Sequence, residues 1–238
     1  LLAAINAGSI KLRLTLQRKL GIFRFKMSAL IISQTITSKI LARIYGKGRG
    51  KVFTPKDFLD LAGHRTTRSI LDRLTRQGTI RRVLPGVYDY PEYSNLLQAL
   101  SSPDPDAIAR AKARAQGWTI LPSGETAMNL LGLSTQVPAK WEYFSDGPTR
   151  QYTWSGGTLA FKHRANKETS ILSPKTALLV QALKTLGEKN VNQSIMVTLR
   201  TKFDAKELNR AIREAKYATS WVYDIIKRLA ENSEPRDA

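Results

Sequence analysis

The residues best suited to chemistry are arginines. In "RTTRSILDRLTRQG" (65–78), a helical period of 100° per residue gathers Ile70, Leu71 and Leu74 into one narrow arc. Arg65, Ser69, Arg73 and Arg76 fall on the opposite side, flanked by Arg68, Thr66 and Asp72. A helix divided in this way packs by one face and presents guanidinium groups on the other. An α-helix fits the major groove of DNA, and arginine donates two hydrogen bonds to guanine O6 and N7. Residues near the start of such a helix meet base edges. Arg65, Thr66, Arg68 and Ser69 are therefore the expected base readers, with Arg73 and Arg76 on phosphate. Lys56, at the start of the preceding helix, is expected on phosphate too. Asp72 is expected to hold Arg68 or Arg76 by helical pairing. "TIRRVLPGVYDY" then reads as a hairpin around a Pro-Gly turn. Strand alternation lets one of Arg81 and Arg82 face a duplex while the other is solvated.

Other chemistries find less material. The chain has no cysteine, which excludes a disulfide, a thiolate zinc site and a cysteine nucleophile. His64 and His163 are the only imidazoles, so a multi-histidine metal centre is excluded as well. His163 in "FKHRA" lacks a carboxylate nearby in sequence and reads as a surface histidine in a basic cluster rather than a general base. Trp141, Tyr143, Tyr152 and Trp154 alternate along adjacent strands, a pattern that serves cross-strand packing or base stacking. Glu125, Glu142, Asp146 and Glu168 do not form a nuclease-like pair of acids followed by lysine. No glycine-rich phosphate loop, G-x-S-x-G elbow or H-E-x-x-H motif occurs. The expectation is a protein without catalytic residue, cofactor or metal. The alternative is a divergent Mg²⁺-dependent nuclease or nucleotide-processing enzyme in the C-terminal part.

The elements that must position the arginines can also be read. Ile32, Ile36, Ile40 and Ile44 recur every four residues, which predicts a helix ending at "GKGRG". Thr54, Pro55 and Asp57 suit the start of a short second helix that buries Phe58, Leu59 and Leu61 and closes at Gly63. Helix, short helix, basic helix and hairpin, with only "GH" between the second and third helices, is the order of a winged helix-turn-helix. The fold expected is α+β: a winged helix-turn-helix over 27–92, a Ser/Pro/Asp-rich linker over 93–103, and a mixed α+β domain over 104–232. That domain reads as a helix after Asp104, a strand, a helix from Ser123, three strands and a helical C-terminal tail.

The formal net charge is +19, and most of it lies in residues 1–100, which favours a polyanionic partner. No segment has the run of ~18–20 apolar residues that a membrane helix needs, so a cytoplasmic location and no membrane partner are expected. Residues 1–26 are basic and acid-free, with their charges after the apolar run rather than before it as in a secretory signal. They read as upstream translation or a poorly ordered arm preceding Met27.

Three segments together carry a family resemblance. "KGRGKVFTPKDFLDL", "LDRLTRQGTIRRVLPGVYDYP" and "PSGETAMNLLGLSTQVPAKWEYFSDGP" resemble the AbiEi family of antitoxins from bacterial type IV toxin–antitoxin systems. The likeness covers most of residues 30–190, and its last segment is the most specific. It implies an N-terminal winged helix that binds operator repeats in double-stranded DNA and represses its own operon, with possible pairing on inverted repeats. It also implies a C-terminal region that counters a cognate nucleotidyltransferase-like toxin without forming a stable complex with it. By position, Arg65, Arg68, Ser69, Arg73, Arg81 and Arg82 would face DNA. Wings of this kind often carry a basic residue just before the turn glycine. That position is Pro85 here, so Arg81 or Arg82 would take its place.

Overall fold

The computed structural model describes residues 35–136, 138–164 and 172–231. The basic extension 1–26, the start of the first helix with Ile32, and Glu168 lie outside the described residues. The chain is of mixed α+β class with a helical C-terminal end. It divides into two compact units.

The first unit comprises 35–49 and 55–79. Helix α1 spans 35–47 and buries Ile40 and Ile44. A 3-10 turn over Pro55–Phe58 buries Phe58. Helix α2 spans His64–Arg76 and buries Thr67, Ile70, Leu71 and Leu74, the arc anticipated from its period. Gly78 at φ 72° ends α2, with Thr79 N–H donating to Leu74 O and Gly78 N–H to Thr75 O. A left-handed glycine with these two bonds is a Schellman stop. The expected second helix is only the single 3-10 turn, and Leu59 is 46% exposed rather than buried. Its backbone bonds close over three residues, Leu59 N–H to Lys56 O and Leu61 N–H to Phe58 O, the tight pitch that short stretches adopt.

The second unit comprises 50–54 and 80–231. Strands β1 (Val52–Phe53), β2 (Arg81–Leu84) and β3 (Val87–Asp89) form an antiparallel sheet in the order β1-β3-β2. Pro85 and Gly86 turn β2 into β3, with Gly86 at φ 76°, as a type II turn requires. Strand β1 lies just before the helix start expected at Thr54, in residues to which no element was assigned. Two residues are too few to show strand alternation. Strands β4 (Tyr93–Ser94) and β5 (Ala99–Leu100) make a small hairpin where a linker was expected.

Helix α3 (Pro105–Gln116) begins at Asp104, whose side chain accepts from Asp106 N–H. Strands β6 (Ile120–Pro122), β7 (Lys140–Ser145), β8 (Arg150–Trp154) and β9 (Gly157–His163) form a sheet ordered β6-β7-β9-β8, in which only β7 and β9 run parallel. Helix α4 (Gly124–Leu130) follows β6. Helices α5 (Pro174–Leu186), α6 (Gln193–Lys202), α7 (Ala205–Glu214) and α8 (Ser220–Glu231) close the chain. They bury Leu183, Leu199, Phe203, Leu208, Val222 and Ile226 in one core with Ala127 and Leu131.

A second core joins Leu84 and Val87 of the Pro-Gly hairpin to Ile108 and Ala109 of α3 and to Tyr143, Leu159 and Phe161 of the sheet. The hairpin therefore belongs to the second unit, and the division falls at 79/80 rather than beyond residue 92. Leu84 and Val87 decide this. They are 3% and 0% exposed, and apolar side chains at a turn go where they can be covered.

Candidate nucleic-acid interface

Helix α2 is held from its apolar side, and its outer side is basic. Arg65, Thr66, Arg68, Ser69, Arg73 and Arg76 are all exposed along it. No acid occupies its first turn, and Gly63 at the N-cap supplies no side-chain hydrogen bond. The positive end of the helix dipole is therefore left uncompensated beside Arg65 and Arg68, an arrangement that favours an anion. Arg73 Nη2 donates to Thr37 Oγ1 at 2.6 Å, which ties the middle of α2 to α1. Arg76 Nε reaches the carbonyl of Asp72 at 3.4 Å. Lys56 is exposed on the 3-10 turn. Beside it, Arg43 grips both carboxylate oxygens of Asp60 at 2.6 Å and donates to Asp57 O at 3.1 Å. The Asp60 hydrogen bond raises the guanidinium above its usual value, and the same bond lowers the carboxyl of Asp60. Sequence reading missed Arg43, because its partner lies 17 residues on and across a turn.

The hairpin gives its two arginines different work. Arg81 Nε and Nη2 bind the two oxygens of Asp89 at 3.1 and 2.6 Å, and Nη2 also donates to Ser101 O at 2.9 Å. Asp89 is 1% exposed, so its charge depends on this partner. Arg82 is exposed and is the hairpin's outward cation. One arginine outward was the expectation. The other is not solvated; it is bound to a buried acid. The tip is also anchored. Lys112 on α3, 7% exposed, donates from Nζ to Pro85 O at 3.0 Å and lies 4.5 Å from the centre of the Tyr152 ring. Burial lowers its pKa. A turn whose carbonyl is held by an ammonium group from behind is a fixed feature, and sequence alone offers no sign of that partner 27 residues away.

The remaining candidates take structural places. Tyr143 is fully buried and Trp154 nearly so, while Trp141 and Tyr152 pack against the same core, so packing rather than stacking accounts for the aromatic alternation. The Tyr143 hydroxyl donates to Asp106 Oδ1 at 2.9 Å, and burial together with that charge drives its pKa far upward. Glu142 pairs with Lys162 at 2.9 Å, and Asp146 Oδ1 accepts from Thr119 N–H at 2.9 Å. His163 Nδ1 lies 3.0 Å from Gly147 O, and Glu125 is exposed on α4. Among the described residues, no three His, Asp or Glu side chains are grouped to hold a metal ion. Among them too, no helix is long and apolar enough to cross a membrane.

What the elements define is an α+β protein with an outward basic helix in one unit and a buttressed hairpin in the other. Residues 39–208 match the model of a family of unknown function, DUF6088, and the chain belongs to that family. No curated protein matches it. Among solved structures, it is similar to the crystal structure of RV2827C protein from Mycobacterium tuberculosis at 15% identity. The alignment covers 84% of this chain and 77% of that one at a TM-score of 0.38, too slight a likeness to bear on function.

Proposed function

We propose that the chain is a DNA-binding transcriptional autorepressor and the antitoxin of a bacterial type IV toxin–antitoxin system, countering a nucleotidyltransferase-like toxin. The observation that carries the DNA-binding part is the exposed row of Arg65, Arg68, Ser69, Arg73 and Arg76 on α2, opposite a buried Ile70, Leu71 and Leu74. The net charge of +19 supplies long-range attraction to a polyanion. In this reading α2 enters the major groove, its first turns meet base edges, and Lys56, Arg76 and Arg82 neutralise phosphates. The antitoxin part rests on the resemblance of the three sequence segments to the AbiEi family.

Both parts can be tested with the full chain. Titrating DNA from upstream of the gene separates wild type from Arg65→Ala plus Arg68→Ala. Each lost base contact should cost about 1–3 kcal/mol of discrimination against unrelated DNA. Equal binding by both proteins would remove α2 from the interface. For the second part, the neighbouring nucleotidyltransferase gene is co-expressed with wild type or with the double variant. Restored growth in both cases separates toxin neutralisation from DNA reading. No restoration by wild type refutes the antitoxin role.

A further inference from the structure

The hairpin of β4 and β5 gathers four exposed large apolar side chains. Leu96 is 92% exposed, Leu97 71%, Leu100 53% and Tyr93 49%. Tyr93 and Leu100 are direct cross-strand partners, so they share one face, and the two leucines cap its end. The polar groups of the tip are turned onto the tip itself. Gln98 Nε2 donates to Asn95 O at 2.6 Å, Leu97 N–H to Ser94 Oγ at 3.2 Å, and the Tyr93 hydroxyl to Gln98 Oε1 at 3.2 Å. The root is fixed as well. Ser101 N–H donates to Glu92 O at 2.8 Å, and Ser101 O receives Arg81. A lone two-stranded hairpin is marginal in water, yet this one is preorganised with its leucines outward, as a contact surface is.

Charge identifies what covers it. Residues 93–103 carry no charge, in a chain whose net charge is +19. Exposed acids, Glu92 and Asp104, stand at both ends of the stretch. Those acids disfavour nucleic acid and anionic lipid head groups. Two copies of a chain this basic can approach closely only where neither carries positive charge, as along 93–103. The two-stranded sheet also leaves one edge of each strand unpaired, an arrangement that is self-complementary about a twofold axis. We infer that two copies associate through this hairpin, with Leu96 and Leu97 of each packed against Tyr93 and Leu100 of the other. The association is independent of the DNA-binding reading.

Sedimentation of the full chain over a micromolar concentration series tests it. Wild type should pass from monomer to dimer, and more readily as salt rises, because salt screens the repulsion between two basic chains without weakening an apolar contact. Leu96→Ser plus Leu97→Ser should stay monomeric with an unchanged circular dichroism spectrum. The chain has no cysteine, so single introduced thiols report proximity cleanly. Leu97→Cys should form a covalent dimer under diamide, whereas Lys206→Cys on α7 should remain monomeric. A wild type that is monomeric throughout, a dimer that survives the double serine variant, or equal crosslinking at 97 and 206 would each overturn the inference. So would leucine-dependent cosedimentation with vesicles of phosphatidylcholine and phosphatidylglycerol, which would give the tip to lipid.

Discussion

Arg81 and Arg82 are adjacent, carry the same charge, and should fail in opposite ways when replaced. Arg81→Met removes two charge-assisted bonds from Asp89 and leaves a carboxylate that is 1% exposed without its cation. Breaking a buried pair from one side costs 3–5 kcal/mol. Arg81 itself keeps 31% of its side chain exposed, which points to the low end, about 3 kcal/mol. For a chain of this length that is a fall of about 6–12 °C in the main unfolding transition. Removing Asp89 as well, in Arg81→Met plus Asp89→Leu, should recover most of the loss, because no charge then remains buried. Arg82→Ala should leave stability within about 0.5 kcal/mol of wild type. It should instead lower the slope of log affinity for DNA against log salt by about 0.9, the value of one phosphate contact. Calorimetry and a salt series of DNA titrations, run well below the transition, read both quantities. The reasoning is refuted if Arg81→Met melts like wild type and weakens DNA binding as Arg82→Ala does.

Two further outcomes follow from the helical core. Burial alone would raise the pKa of Glu214, but hydrogen bonds from Ser173, Thr176 and Arg210 and from the Ser173 backbone outweigh it and hold it to about 2. A depressed carboxylate stabilises the fold above its ordinary value of 4.5 and loses that contribution as pH falls toward 2. Glu214→Gln should therefore flatten the acid limb of stability in urea melts between those two values. A limb of unchanged steepness would assign the acid loss elsewhere. At Gly124 an added Cβ would collide with the side chain of Thr185. Gly124→Ala should destabilise the protein by about 1–3 kcal/mol, and Thr185→Ala in the same chain should relieve much of it. Wild-type stability in Gly124→Ala would show that α4 and α5 can separate freely.

The sequence carried the parts of the fold whose signals are local and periodic. Ile70, Leu71 and Leu74 gave the phase of α2, and the Pro-Gly pair gave the turn of the hairpin. Asp104 and Ser123 marked the starts of α3 and α4. What it did not carry depends on distant partners. Asp89 reads as an ordinary strand acid until Arg81 is seen across the register, and Lys112 reads as one more surface lysine until Pro85 O is seen above it. The hairpin over 93–100 was hidden by composition, because Ser, Asn and Gln beside a proline look like a connector. The first-unit arginines were legible as a set, since a helical face needs only spacing. Which arginine of the hairpin points outward was not, since that depends on where a buried acid lies.

The sheet order β1-β3-β2 has a consequence for how this chain can be altered. Phe53 and Arg82 both stand opposite Tyr88, one on each side. With neighbouring strands ~4.8 Å apart, the backbone leaves the sheet after β1 and re-enters at β2 across a gap of roughly 10 Å. About three extended residues span that distance. Residues 55–79 are thus an insertion whose two ends join the strands on either side of β3. A segment grafted at those two points must also keep the partners that α1 finds in it, Asp60 for Arg43 and Arg73 for Thr37, while Leu84 and Val87 stay seated in their own core. A cut at residue 92, by contrast, would tear out the sheet's own strands.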